Sequence, residues 1–158
     1  MKILAIDPGY ERLGIAVLEK IPKGKEILLY SECFKTSAKI PHHDRLTLIG
    51  NKIKEIIEKF QPEIMATEKL FFSTNRKTAL LVAEARGVIL YAASSSGLEI
   101  FEYTPACIKI AVTGYGRSEK RQVISMVKKL ITVPKGKNSD DEFDAIAIGL
   151  THFAISHH

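Results

Sequence analysis

The apolar residues of this chain of 158 residues follow two patterns, which are short continuous runs and a repeat of three to four residues. Short, nearly continuous apolar runs such as residues 3–6 are typical of strands that are buried on both faces of a sheet. From His43 to Phe60 the apolar residues instead recur at steps of three and four, with lysines and glutamates between them. That spacing predicts an amphipathic helix, which Pro62 would bring to an end.

The same patterns along the whole chain predict a single α/β domain over residues 1–158. The strands are expected at residues 2–7, 14–18, 25–30, 64–67 and 98–103. The helices are expected at residues 43–60, 75–96, 105–112 and 118–131, with a last helix from Ser139. The first three strands are close enough to form an antiparallel meander, and a crossover would make the fourth parallel to the first. We therefore expect a five-stranded mixed sheet flanked by helices on both faces.

Three helix ends carry recognisable capping residues. Gly97 follows the helix of residues 75–96 as a natural C-terminal cap. Ser118 is expected to cap the next-to-last helix, and Ser139 with Glu142 matches the S-x-x-E capping box of the last.

The charge is distributed unevenly. The net charge is +5 and the pI is about 9.2. Residues 109–137 contain eight basic side chains and one acid, whereas residues 138–144 contain four acids. A basic stretch beside an acidic cluster suits a metal-dependent enzyme that acts on a polyanion. A solvated helix face with ordinary lysines explains the basic stretch equally well.

No apolar run approaches the roughly 20 residues that a membrane-spanning helix needs. The N-terminal residues read as a strand rather than as a signal peptide. Cys33 and Cys107 match no metal or redox spacing, so two buried reduced thiols and a cytoplasmic location are expected.

Candidate chemistry comes from acids at the ends of predicted elements. Two of them end strands, and two lie three residues apart at the start of the last helix: Asp7, Glu68, Asp141 and Asp144. If the fold brings them together, their charges repel unless a hard divalent cation neutralises them. Asp144 precedes the apolar run of residues 145–150, where an unpaired buried carboxylate would be costly.

Each acid also has an ordinary structural explanation. Asp7 precedes Pro8-Gly9 and can simply form a turn, and Glu68 can be a solvated loop residue. Acids near a helix N-terminus are favoured by the macrodipole. In the last helix Asp140 and Asp144 can also share a face, so Asp140 remains an alternative to Asp141.

Together, several short segments resemble the RuvC-type Holliday junction resolvases over essentially the whole chain. They are residues 6–15 (IDPGYERLGI), Arg45-Leu46, residues 66–72 (ATEKLFF), residues 84–87 (EARG), residues 113–116 (TGYG) and residues 141–147 (DEFDAIA). The resemblance implies an RNase H-like fold, a homodimer, and cleavage of four-way DNA junctions with two Mg²⁺ or Mn²⁺ ions per active site. It also implies that the RuvA and RuvB branch-migration proteins are partners.

The resemblance also assigns roles to residues. The metal-binding and catalytic acids would be Asp7, Glu68, Asp141 and Asp144, with Lys120 assisting catalysis. The expected DNA contacts are Phe71, Arg76, Lys109, Tyr115, Arg117 and Lys120. Phe72 is the alternative to Phe71 as the ring that probes the bases. The helix of residues 75–96 would form the dimer interface.

Three other readings remain to be compared with this one. YqgF-like nucleases share the Asp-Pro-Gly opening, and sugar kinases and actin-like ATPases share an Asp-x-Gly strand end. The latter need a second lobe, for which 158 residues leave no room. A junction-binding protein without catalysis is the third, although four carboxylates without metal would repel DNA phosphates.

Overall fold

The structure is a computed structural model that describes residues 1–22, 24–71, 76–134, 136 and 138–156. The strands are β1 (Lys2–Asp7), β2 (Arg12–Lys20), β3 (Glu26–Lys35), β4 (Ile64–Glu68) and β5 (Glu99–Tyr103). The helices are α1 (His42–Phe60), α2 (Arg76–Ser95), α3 (Pro105–Thr113), α4 (Lys120–Leu130) and α5 (Asp140–Ile155).

The five strands form one mixed sheet in the order β3-β2-β1-β4-β5. β1, β2 and β3 pair in antiparallel fashion, and β4 pairs in parallel with both β1 and β5. The predicted meander and crossover are therefore confirmed. β1 lies at the centre, where its almost entirely apolar sequence is buried on both faces.

Alternate residues of β1 enter two separate cores. Ile3 and Ala5 belong to the core that contains residues of α3, α4 and α5. Leu4 and Ile6 belong to the core that contains residues of α1 and α2. Because strand side chains alternate between faces, the next residue in the first series, Asp7, faces α5.

Helix α5 packs directly on the sheet and is buried at Phe143 and from Ala145 to Phe153. Gly149 allows this contact, because a Cβ at that position would lie 2.4 Å from the Leu18 Cδ1 atom. The helix is thus fixed against the centre of the sheet, and its acidic first turn lies near Asp7, where β1 ends.

The boundaries of two strands differ from the prediction by more than one residue. β2 begins at Arg12, and β3 continues to Lys35 through the pairs Arg12↔Lys35 and Gly14↔Cys33. β3 is an edge strand with no fully buried residue, so residues 31–35 lack the apolar pattern that predicts a strand.

Two of the three predicted helix caps are confirmed. Gly97 has a left-handed φ of 80°, and Ser139 and Glu142 form the capping box of α5. The prediction that Ser118 caps α4 was wrong. The N-cap of α4 is Glu119, whose N–H donates to the Gln122 side chain at 2.7 Å. Ser118 is buried instead and donates to the Tyr115 carbonyl oxygen.

Among the described residues, no helix is both long and apolar enough to cross a membrane. Cys33 and Cys107 form no disulfide, but both are only partly buried, so the expectation of two buried thiols was wrong. Cys33 is partly exposed to solvent because it lies on the edge strand β3.

Candidate active site

Asp7 and Glu68 lie side by side at the carboxyl ends of neighbouring strands. β1 and β4 are parallel, with Ile6 paired to Thr67, so the next residues along the two strands are Asp7 and Glu68. Glu68 follows Ile64 and Ala66 in alternation, and those two residues belong to the core beneath α5. Both carboxylates therefore point toward the face that α5 covers.

The first turn of α5 brings the other two acids to the same edge. A Cβ built on Gly14 would lie 2.2 Å from the carbonyl oxygen of Asp141 and 3.1 Å from the Asp7 Cβ. Gly14 is the β2 residue paired with Asp7. The missing side chain of this glycine lets the start of α5 approach Asp7.

The pKa values of three of the four acids are raised. The pKa of Asp141 is lowered instead, because its burial is outweighed by hydrogen bonds from Arg12 and Cys33. Burial, followed by the charges of Asp144, Glu68 and Asp141, raises the pKa of Asp7 to about 7. Burial and then Asp144 raise the pKa of Glu68, which Lys109 and Lys120 oppose. Burial also raises the pKa of Asp144. The cluster thus carries more negative charge than its surroundings readily stabilise.

Two of the four carboxylates are paired with cations. Lys120 donates to Asp144 Oδ2 at 2.8 Å, and Arg12 donates to Asp141 Oδ2 from Nε at 2.8 Å and from Nη2 at 2.6 Å. Asp7 and Glu68 form no salt bridge with any residue that the structure describes. Within that part of the chain, no three His, Cys, Asp or Glu side chains are already arranged to hold a metal ion. Each pair occupies one carboxylate oxygen, so a metal that binds all four acids must use the other oxygen of Asp141 and of Asp144 or displace a cation.

The geometry favours Asp141 over Asp140 as the partner of Asp7. Asp141 contributes to the raised pKa of Asp7, whereas Asp140 is not among the causes. The Asp140 side chain is 66% exposed and lies 3.7 Å from the Lys120 Nζ.

Basic residues line one side of the acidic cluster. A cleft of about 260 Å³ contains Glu68 and Asp144 together with Lys109 of α3 and Lys120 of α4. Tyr115 and Arg117 are exposed in the loop between these helices. Thr113 and Ser118 hydrogen-bond to each other within this loop at 2.6 Å. The predicted contacts Lys109 and Lys120 thus line the cleft, and Tyr115 and Arg117 lie on the loop that joins α3 and α4.

Phe71 lies three residues beyond Glu68 and is 61% exposed. With Leu70 it lines an apolar groove against α2. A ring in this position is accessible to a base. Phe72 and the side chain of Arg76 lie outside the described residues.

The sequence analysis missed two residues that contact Asp141. Arg12 holds this carboxylate, and the Cys33 Sγ lies 3.5 Å from its Oδ2 atom. The available signal was the hairpin of β1 and β2: once Gly14 is paired with Asp7, Arg12 lies two positions away on the same face of the sheet.

A mixed sheet in this order, with carboxylates at the ends of its two central parallel strands and a helix across them, defines an RNase H-like protein. The family model described as crossover junction endodeoxyribonuclease RuvC matches residues 3–152. The chain belongs to this family of metal-dependent nucleases, as the resemblance predicted.

Individual relatives agree with the family match. The crossover junction endodeoxyribonuclease RuvC of Halothermothrix orenii is 45% identical over 152 residues, which are 96% of this chain and 92% of that protein. The Thermus thermophilus RuvC structure has a TM-score of 0.88 and 34% identity, covering 98% of this chain and 94% of that one. T. thermophilus RuvC in complex with a Holliday junction substrate has a TM-score of 0.90 and 33% identity, covering 97% and 93%.

Proposed function

We infer that this protein is a crossover junction endodeoxyribonuclease that resolves four-way DNA junctions by paired, symmetric nicks in recombination and repair. One observation carries the inference: four acids from β1, β4 and α5 share one site beside a basic cleft in a chain of the RuvC family. The similarity to a T. thermophilus RuvC bound to a Holliday junction supports the choice of substrate.

The acidic cluster fits a metal site. Carboxylate oxygens are the ligands that Mg²⁺ prefers, and the raised pKa of Asp7 indicates negative charge that a cation would stabilise. We assign two ions, Mg²⁺ with Mn²⁺ as the alternative, to Asp7, Glu68, Asp141 and Asp144. When bound, they would supply a more acidic water and charge stabilisation at the phosphate. Hydrolysis would leave 5′-phosphate and 3′-hydroxyl ends.

The protein's own cations would position the phosphate. Lys120 lies in the cleft next to Asp144, where its ammonium group is placed to neutralise charge on a bound phosphate oxygen. Lys109 lines the same cleft and would hold the strand. Phe71, Tyr115 and Arg117 would contact the DNA around the cut site, and Arg76 is a further proposed contact.

The substrate's symmetry points to a homodimer. A four-way junction has an approximate two-fold axis, and two equivalent active sites related by a two-fold axis match it. The exposed side of α2 is the proposed interface. RuvA and RuvB would deliver the junction, and the protein would work with chromosomal DNA in the cytoplasm.

A cleavage assay tests the proposal. A synthetic four-way junction and a linear duplex of the same sequence are incubated with Mg²⁺ or with EDTA. Symmetric nicks are expected only in the junction and only when Mg²⁺ is present. Equal cutting of linear duplex would contradict junction selectivity, whereas junction binding without cutting in Mg²⁺ or Mn²⁺ would favour a binding protein without catalysis.

A further inference from the structure

Arg12 is the first residue of β2, and its guanidinium group holds one of the four acids of the site. Nε and Nη2 both donate to the same oxygen of Asp141, at 2.8 and 2.6 Å. Arg12 and Gly14 share one face of β2, two positions apart, and Gly14 contacts the Asp141 backbone. The ion pair therefore lies at the edge of the acidic cluster.

The contacts of Asp141 Oδ2 leave little room for another ligand. Besides the two nitrogens of Arg12, the Cys33 Sγ approaches the same oxygen at 3.5 Å. Asp7 and Glu68 have no salt bridge to a described residue, so the acids of this site are not equally available. A divalent cation that uses this oxygen must displace the guanidinium group, because both are attracted to the same lone pairs.

The backbone of Asp141 is held more firmly than the side chain of Arg12. The carbonyl of Asp141 lies against Gly14, and α5 is buried beyond it. The Arg12 side chain, in contrast, is 51% exposed. Rotation of the arginine is thus the simplest way to release the carboxylate, and it needs no movement of α5.

We propose that Arg12 is a positioning residue that competes with the metal for Asp141 and so weakens metal binding by the DNA-free enzyme. This inference rests on the proposed function, because it takes Asp141 to be a metal ligand. Arg12 orients the Asp141 carboxylate while the site is empty and yields it when the metal concentration is high enough.

Three variants test the competition by titration of Mn²⁺ without DNA, followed by electron paramagnetic resonance. Arg12→Gln keeps the length and polarity of the side chain but removes its charge, and it is expected to bind Mn²⁺ about fivefold more tightly than the wild type. Arg12→Lys should stay close to the wild type. Arg121→Gln removes the same charge from a side chain that is 91% exposed on α4, and its Mn²⁺ affinity should hardly change.

A double variant separates competition at Asp141 from a general charge effect. In an Asp141→Asn background, Arg12→Gln should no longer change Mn²⁺ affinity, because the contested carboxylate and its charge are gone. A fivefold gain that persists in this background would overturn the inference. So would Mn²⁺ binding by Arg12→Gln that is no tighter than that of the wild type, including binding too weak to detect in both.

The proposed function is tested separately by junction cleavage with the wild type. If the wild type cuts the junction and Arg12→Gln shows no gain in Mn²⁺ affinity, the Arg12 inference alone fails. If the wild type does not cut, the proposed function fails whatever the Arg12 result. In cleavage, Arg12→Gln should reach its half-maximal rate at a lower Mg²⁺ concentration. Thermal unfolding of each variant confirms that it is folded.

Discussion

Gly14 lies against Asp141 so closely that a Cβ on the glycine would stand 2.2 Å from the aspartate's carbonyl oxygen. The same Cβ would lie 3.1 Å from the Asp7 Cβ. The acidic cluster therefore depends on glycine at position 14, because any larger residue there would push the start of α5 away from Asp7.

Gly14→Ala is expected to separate α5 from the sheet edge. The clash is with backbone atoms, so no side-chain rotation relieves it. We expect junction cleavage to fall by about 100-fold, because small displacements of catalytic groups are costly. The free energy of unfolding should fall by about 1–3 kcal/mol, measured by chemical denaturation.

Gly136→Ala is the matched control for this change, because a Cβ at Gly136 meets nothing within 4 Å. That variant should keep wild-type cleavage and stability. Wild-type turnover by Gly14→Ala would show that the contact between Gly14 and Asp141 does not position the site.

The sequence was sufficient to predict that Asp7 and Glu68 meet. Each follows a short apolar run, and the crossover rule makes those strands parallel, so their ends lie at one edge. The capping box likewise placed the start of α5, because Ser139 and Glu142 are local signals. Such features depend on neighbouring residues or on general rules of chain connection.

The pair of Arg12 and Asp141 could be predicted only in part, because the hairpin of β1 and β2 places Arg12 near Asp7 but does not identify its partner. These residues are far apart in sequence, and their contact depends on the exact register of β2 and on the close approach of α5 at Gly14. The Glu119 cap was missed for a related reason. Ser118 is a good capping residue by type, but its hydroxyl is used by Thr113 and Tyr115.

Asp7→Asn is expected to abolish cleavage while leaving junction binding nearly intact, and also to stabilise the metal-free protein. The pKa of Asp7 is raised from 3.8 to about 7, first by burial and then by its acidic neighbours. The folded state therefore binds the proton more tightly than the unfolded chain does. The contribution of Asp7 to the free energy of unfolding is therefore largest below pH 3.8, and it is lost as the pH rises to about 7.

Thermal unfolding in EDTA at several pH values measures this effect. The advantage of Asp7→Asn over the wild type should grow between pH 4 and pH 7 and then level off, reaching on the order of a few kcal/mol. Added Mg²⁺ should stabilise the wild type and not the variant. A constant difference across this pH range would contradict the raised pKa, and unchanged cleavage would exclude the site.

Lys120→Met should slow cleavage more than it weakens binding. The variant loses the donor next to Asp144, and one such donor is typically worth about 100-fold in rate. Lys120 also holds down the pKa of Asp144, so its removal should raise that pKa and move the acidic limb of the pH–rate profile to higher pH. Junction affinity, measured by fluorescence anisotropy, should change by less than about threefold.

Lys129→Met is the control for this substitution. Lys129 is exposed in the last turn of the same helix, away from the cleft. Its cleavage rate and pH profile should match those of the wild type. If both lysine variants lose the same activity, the effect of Lys120 reflects general charge rather than its place beside Asp144.

Leu80→Asp is expected to convert a dimer into monomers. Leu80 and Tyr91 are 66% and 69% exposed, and their spacing of 11 residues places them on one side of α2. Gly87 lies between them, and a Cβ there would meet nothing within 4 Å. Two copies of this surface can approach closely, and an unpaired aspartate buried within it should weaken association by more than about 100-fold.

Sedimentation velocity at micromolar concentration measures the change, with Leu48→Asp as the control because Leu48 is an exposed leucine on α1. The wild type and the control should sediment as dimers, and Leu80→Asp as a monomer. The monomer keeps its acidic cluster but cannot place two sites on one junction, so its nicks should be single and unpaired. A wild type that stays monomeric, or a Leu80→Asp dimer, would exclude this surface of α2 as the interface.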